Sequence, residues 1–148
     1  MSTPERLVLL LSGPNLQLLG ERDPAVYGTD RLEDHVRRAE ERAASHGLAL
    51  EHRQADAEAE LVTTVHRARG RAAAIVINAG ALTHYGWSLH DALATFAGPV
   101  VELHLSRPEA RERWRRRSVI APVADGTIAG FGGAGYGLAI DAVAALLG

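Results

Sequence analysis

Ala73-Ala74-Ile75-Val76-Ile77-Asn78-Ala79-Gly80 is the stretch that decides the fold. An unbroken apolar run that stops abruptly at Asn-Ala-Gly reads as a strand buried on both faces, because a half-exposed strand would alternate. Leu7 to Leu11 is a second run of this kind. It ends at Ser12-Gly13-Pro14-Asn15, and a loop then continues through Gly20, Pro24 and Gly28. Between these two runs, Leu32, Val36, Ala39 and Ala43 recur at helical spacing over Arg31 to His46, and Gly47 closes that helix. Leu48 to Arg53 reads as a strand, and Glu58 to Arg69, with Leu61, Val62 and Val65 inward, as a helix. Beyond Gly80 the spacing predicts a helix over Leu89 to Phe96 and a strand over Pro99 to Leu105. A short, very basic helix over Glu109 to Arg117 and a fifth strand over Thr127 to Ala129 follow. A last helix carries Tyr136, Ile140, Val143 and Leu147.

Strands alternating with helices imply a parallel sheet covered on both sides. Five such units in 148 residues fit one domain over 1–148: a flavodoxin-like, doubly wound five-stranded sheet in three α/β/α layers. In that architecture ligands bind outside the carboxyl ends of the strands. Asn15, Arg22 and Tyr27 follow the first strand. Asn78 and His84 follow the third, with Asp91 on the next helix. Glu102, His104 and Ser106 stand at the end of the fourth, with Arg111 and Arg115 beyond. Residues 102 and 104 share one parity, so the Glu102 carboxylate and the His104 imidazole should point to the same side of the sheet. A carboxylate so placed orients an imidazole and keeps it basic.

Composition narrows the chemistry. There is no cysteine, which excludes disulfides, thiolate nucleophiles and Cys-based metal sites. All 16 Lys-plus-Arg residues are Arg, which excludes a Schiff-base lysine, a pyridoxal-phosphate lysine and the lysine of a phosphate-binding P-loop. A net charge of -2 argues against a general nucleic-acid or membrane-surface role. The residues from Met1 and the run Leu7 to Leu11 are too short for a signal-peptide core or a membrane span, which leaves a cytoplasmic location as the expectation. Gly130-Phe131-Gly132-Gly133-Ala134-Gly135 fits the dinucleotide pattern G-x-G-x-x-G. Too few residues follow it for a second strand and an acidic partner, so tight strand-to-helix packing is the better reading. No metal or cofactor site is expected.

Five blocks then carry a resemblance. Ser-Gly-Pro-Asn-Leu at 12–16, Glu-Arg-Asp-Pro-Ala-Val-Tyr-Gly at 21–28, Asn-Ala-Gly-Ala-Leu-Thr-His at 78–84, Glu-Leu-His-Leu-Ser at 102–106 and Ala-Arg-Glu-Arg-Trp-Arg at 110–115 resemble the type II dehydroquinases, in order and spacing. The resemblance implies a lyase that dehydrates 3-dehydroquinate to 3-dehydroshikimate through an enolate, without Schiff base, metal or cofactor. It implies that Tyr27 is the general base, a tyrosinate that takes a proton from C2 beside the ketone. An ordinary Tyr has a pKa of about 10, so that role needs nearby cations, which Arg22 and Arg111 match. Asn15 resembles the residue that steadies the enolate oxygen through a water. His104 resembles the acid that protonates the departing C1 hydroxyl, with Glu102 behind it. Asn78 and the backbone amides of Leu105 and Ser106 match a substrate-carboxylate site, and His84 and Arg115 match residues that hold ring hydroxyls. Asp91 matches an aspartate that reaches a neighbouring subunit's site, in a homo-oligomer of trimers assembled into a dodecamer. The loop around Arg22 and Tyr27 matches a lid.

The chain departs from the family pattern at His90, often Arg, and at Tyr85-Gly86-Trp87, usually small and polar. It also departs at Arg107-Pro108-Glu109, often Asn-Ile-His, at Ala55, frequently Ser, and at Val119, frequently Tyr. These positions bear on subunit contacts and the carboxylate-side pocket. Two other readings compete: a binding protein that keeps the pocket without turnover, and a flavodoxin-like module for a flavin or nucleotide. The same dehydration would serve aromatic biosynthesis or quinate breakdown.

Overall fold

The computed structural model describes residues 5–148; the first four residues of the domain expected over 1–148 lie outside them. Five strands, β1 (Arg6–Ser12), β2 (Leu48–Gln54), β3 (Ala74–Asn78), β4 (Val100–His104) and β5 (Gly126–Ala129), form one sheet in the order β2-β1-β3-β4-β5. Every neighbouring pair is parallel. The expected doubly wound, flavodoxin-like architecture is the one observed.

The strand sequences explain why both faces are covered. Val8 and Leu10 of β1, Ala74 and Val76 of β3, and Val101 and Leu103 of β4 pack into one core with α2 (Leu32–Ser45) and α5 (Ala134–Leu147). The intervening residues Leu9, Leu11, Ile75, Ile77 and Val100 pack into a second core with α3 (Glu58–Ala68) and α4 (Trp87–Ala94). Period two thus sends alternate apolar residues to opposite layers, and a continuous apolar run is the consequence. The helix faces are those expected: Leu32, Ala39 and Ala43 of α2, Leu61 and Val65 of α3, and Tyr136, Ile140 and Val143 of α5 are buried. One buried polar residue on α2 was not foreseen. His35 stacks on the Tyr136 ring with centroids 4.9 Å apart, and burial pushes its imidazole below the ordinary His value.

Two segments differ from expectation. Pro24–Tyr27, read as loop, forms the one-turn helix α1. Pro24 at its first position supplies the helical φ without losing a hydrogen bond. Glu109 to Arg117, expected as a short basic helix, is two isolated 3-10 turns, Pro108–Ala110 and Arg113–Arg115. Arg111 and Glu112 between them are extended, with ψ of -156° and 146°. The segment has no apolar stripe to bury, and an intact helix would crowd five Arg residues around two turns.

The glycine-rich stretch over 130–135 is the β5-to-α5 turn. A Cβ at Gly133 would sit 2.5 Å from the His35 ring, and one at Gly135 would sit 2.9 Å from Leu103. Close packing, the reading favoured over a dinucleotide fingerprint, is therefore what these glycines permit. No helix among the described residues is long and apolar enough to cross a membrane.

Candidate active site

The sheet order reverses between β1 and β3, and a polar cleft opens there at the carboxyl ends of β1, β3 and β4. Two backbones meet at its floor. Gly13 donates its N–H to the Asn78 carbonyl at 2.8 Å. A Cβ on Gly13 would lie 2.3 Å from the Ala79 carbonyl oxygen, so only glycine lets the ends of β1 and β3 approach this closely.

Asn15 follows in the left-handed region, φ 69°, where Asn is among the few side-chain-bearing residues tolerated. The Asp56 carboxylate holds it there by accepting the Asn15 N–H at 3.1 Å. Gln17 and Gln54 donate to the same Asp56 oxygens. The Asn15 N–H bond is the leading cause that keeps the Asp56 carboxyl below its ordinary range.

Tyr27 closes α1 and points its ring into the cleft between two cations. Arg22 donates to the Tyr27 hydroxyl at 3.1 Å while its guanidinium lies 4.3 Å from the ring centroid. The Arg111 guanidinium lies 5.1 Å from the same centroid. Arg111 also donates to the Ser106 hydroxyl at 3.2 Å. Arg111, at the extended link, and Arg115, in the second 3-10 turn, both line the cleft.

On the opposite wall, Asn78 commits its side-chain oxygen to the Gly80 N–H at 3.2 Å, which leaves its NH2 as the half available to an anion. Leu105 and Ser106 line the cleft beside it. The His84 ring bonds through Nδ1 to the Arg117 carbonyl at 2.7 Å, so Nδ1 carries the hydrogen and Nε2 is the free nitrogen. Burial pushes the His84 imidazole down, against the effect of that bond.

Glu102 and His104 share one side of β4, as their parity requires, with Glu102 Oε2 2.7 Å from His104 Nε2. Glu102 is 2% exposed and His104 8%. Burial alone would raise the Glu102 carboxyl. Hydrogen bonds from His104, Ser118 and Thr127 outweigh it and hold the group below the ordinary carboxylate range. Glu102 stands behind His104 rather than in the cleft, and a second, rear cavity reaches both residues.

Asn15, Arg22, Tyr27, Asn78, His84, His104, Leu105, Ser106, Arg111 and Arg115 therefore line one cleft. Asp91 does not join them. Its side chain is 86% exposed on the outer side of α4, with His90 Nε2 3.9 Å away. Sequence reasoning passed over Pro14, Leu16, Gly80, Ala81 and Pro108, which also line the cleft, and Ser118 and Thr127 behind it. Thr127 was within reach of a register argument, since it pairs with Glu102 across β4 and β5. Ser118, in an irregular segment, gave no local signal. Two departures from the family pattern meet one another: His90 Nδ1 lies 2.6 Å from the Val119 carbonyl.

With three Arg, two His and no Asp or Glu on its lining, the cleft is an anion site that also holds groups able to move protons. Fold and site together define a flavodoxin-like α/β protein with a cationic cleft, lined by titratable side chains, at the switch point of its sheet. The chain belongs to the class II dehydroquinases: the model of that family matches residues 6–144. It is 47% identical over 141 residues to the 3-dehydroquinate dehydratase of Pelotomaculum thermopropionicum, covering 95% of this chain and 98% of that one. Identity to the 3-dehydroquinate dehydratase of Caulobacter vibrioides is 48% over 138 residues, covering 93% and 94%. Among solved structures, the type II dehydroquinase of Propionibacterium acnes superposes with a TM-score of 0.91 at 39% identity, covering 97% of this chain and 99% of that one.

Proposed function

We propose that this chain dehydrates 3-dehydroquinate to 3-dehydroshikimate through an enolate, with Tyr27 as base and His104 as acid. The observation that carries the proposal is the Tyr27 hydroxyl held by Arg22, with Arg111 beside the same ring, in one cleft with a carboxylate-backed imidazole. Two guanidinium groups at a phenol favour its anion over the neutral form. The anion takes the proton from C2 beside the ketone, and the charge moves to the carbonyl oxygen as an enolate. Asn15, fixed by Asp56, faces that side of the cleft and holds the enolate oxygen through a water. The enolate then collapses to the enone, the C1–O bond breaks, and the His104 imidazolium gives its proton to the leaving hydroxyl, which departs as water. Tyr27 ends protonated and His104 neutral, so one proton passing between them through solvent resets the site.

The substrate's carboxylate accepts from the Asn78 NH2 and the backbone at Leu105 and Ser106, while His84 and Arg115 hold ring hydroxyls. The α1 segment with Arg22 and Tyr27 acts as the lid. Asp91 serves a neighbouring subunit's cleft in a dodecamer assembled from trimers. The exposure of Asp91 beside Tyr85 and Trp87, which are 59% and 51% exposed, supports a subunit contact on that side.

Adding 3-dehydroquinate to chelator-treated protein should produce a growing ultraviolet absorbance from the enone of 3-dehydroshikimate. A flat trace from folded protein would sink the proposal and favour a ligand-binding protein that has lost turnover.

A further inference from the structure

We infer that Ser118, with Thr127 beside it, is a positioning residue that locks the Glu102–His104 pair in one protonation pattern, so that the acid proton sits on the nitrogen of His104 away from Glu102. This rests on the reading of His104 as the acid.

The argument starts from hydrogen-bond counting. A serine hydroxyl has one hydrogen to donate and two lone pairs to accept with. The Ser118 oxygen accepts the N–H groups of Ile120 at 3.1 Å and Ala121 at 2.9 Å, so both lone pairs are used. Its one hydrogen is therefore directed to Glu102 Oε2, 2.7 Å away. Thr127 donates to the other oxygen, Oε1, at 3.2 Å. A carboxylate that receives a hydroxyl donor on each oxygen is favoured as the anion, because protonation would weaken or displace those bonds. With Glu102 held as the anion, the contact of 2.7 Å between its Oε2 and His104 Nε2 carries its hydrogen on Nε2. Nδ1 is left as the site that gains and gives the acid proton.

The segment that bears Ser118 is itself held on three sides. The Arg117 carbonyl accepts from His84, the Val119 N–H donates to the Thr83 carbonyl at 2.7 Å, and the Val119 carbonyl accepts from His90. Ser118 thus reaches Glu102 from a rigid support, and it does so through the rear cavity, without touching the cleft where substrate would sit.

The test uses the full-length protein. Ser118→Ala should lower kcat about ten- to a hundredfold, the range for one hydrogen bond to a charged group, with KM little changed. The acid limb of its kcat–pH profile should move to higher pH, because Glu102 loses a donor that favours its anion. Ser118→Thr, which restores a hydroxyl, should return both toward wild type. A Ser118→Ala enzyme with wild-type kcat and an unmoved acid limb overturns the inference. Should the alanine variant fail to fold, nitrogen NMR of the wild-type histidines decides: neutral His104 protonated on Nε2 supports the lock, and protonation on Nδ1 overturns it. His104→Ala separates this inference from its parent. Near-normal turnover there removes the acid assignment and the lock together, whereas a dead His104→Ala with an unaffected Ser118→Ala removes the lock alone.

Discussion

The proposed role of Tyr27 as base rests, at the residue scale, on a hydroxyl that accepts from Arg22 and a ring with the Arg111 guanidinium 5.1 Å from its centroid. Replacing it with Phe deletes only that oxygen. The ring stays between Arg22 and Arg111, so the shape of the cleft and its charge are kept. Tyr27→Phe should therefore lose turnover by about 10²–10⁴-fold, the usual worth of a positioned base, while a non-reacting ring-acid analogue still binds in calorimetry. Near-normal turnover would remove Tyr27 from the base role, and loss of binding would show that the ring is positioned by the hydroxyl itself. Individual side chains were legible to different degrees. The shared side of Glu102 and His104 followed from parity alone. The roles of Asn15, Arg22 and Tyr27 came through the family blocks, since nothing in local spacing says that a loop Tyr will face two guanidinium groups. The Asp56 bond to Asn15 and the Ser118 bond to Glu102 were invisible, because each joins segments far apart in sequence through one side-chain contact.

The elements were read best where one periodicity persisted. β1 and β3 are built on continuous apolar runs because their alternate residues feed two cores, β4 keeps Val101 and Leu103 on one side with Glu102 and His104 on the other, and α2, α3 and α5 repeat apolar residues at helical spacing. The four residues of α1 are too few to show a helical period, and it was missed for that reason. The Glu109 to Arg117 segment was misread in the other direction: its residues favour a helix one by one, but no tertiary face exists to hold one. Packing between elements yields a paired test. At Gly13 an added methyl meets the Ala79 backbone at 2.3 Å, where β1 and β3 are locked by their ladder. At Gly135 it meets the tip of the Leu103 side chain at 2.9 Å, which can turn aside, and alanine also favours the helix there. Gly13→Ala should cost about 1–3 kcal/mol in urea unfolding and impair turnover. Gly135→Ala should stay within about 1 kcal/mol of wild type. Equal losses at the two positions would show that the β1–β3 contact yields more readily than its geometry implies.

For the whole molecule the open feature is an expected site residue that lies outside the cleft. Asp91 projects from α4 into solvent, one helical turn after the exposed Trp87, whose ring centroid lies 5.4 Å from the Arg117 guanidinium. A carboxylate that has no ion-pair partner closer than 3.9 Å among the described residues, one helical turn from the exposed Trp87, fits the proposal that it works in another subunit's cleft. Sharing of this kind has a direct consequence. In an Asp91→Asn enzyme every cleft keeps Tyr27 but receives an altered neighbour; in a Tyr27→Phe enzyme every cleft receives a sound Asp91 but lacks the base. When the two proteins are dissociated, mixed and reassembled, some clefts combine an intact Tyr27 from one subunit with an intact Asp91 from the next. Activity above the sum of the two parents should then appear, and it should grow with the fraction of mixed oligomers measured by native mass spectrometry. If Asp91 instead served its own chain, no mixture could join the two intact residues in one cleft, and verified mixed oligomers would be no more active than their parents.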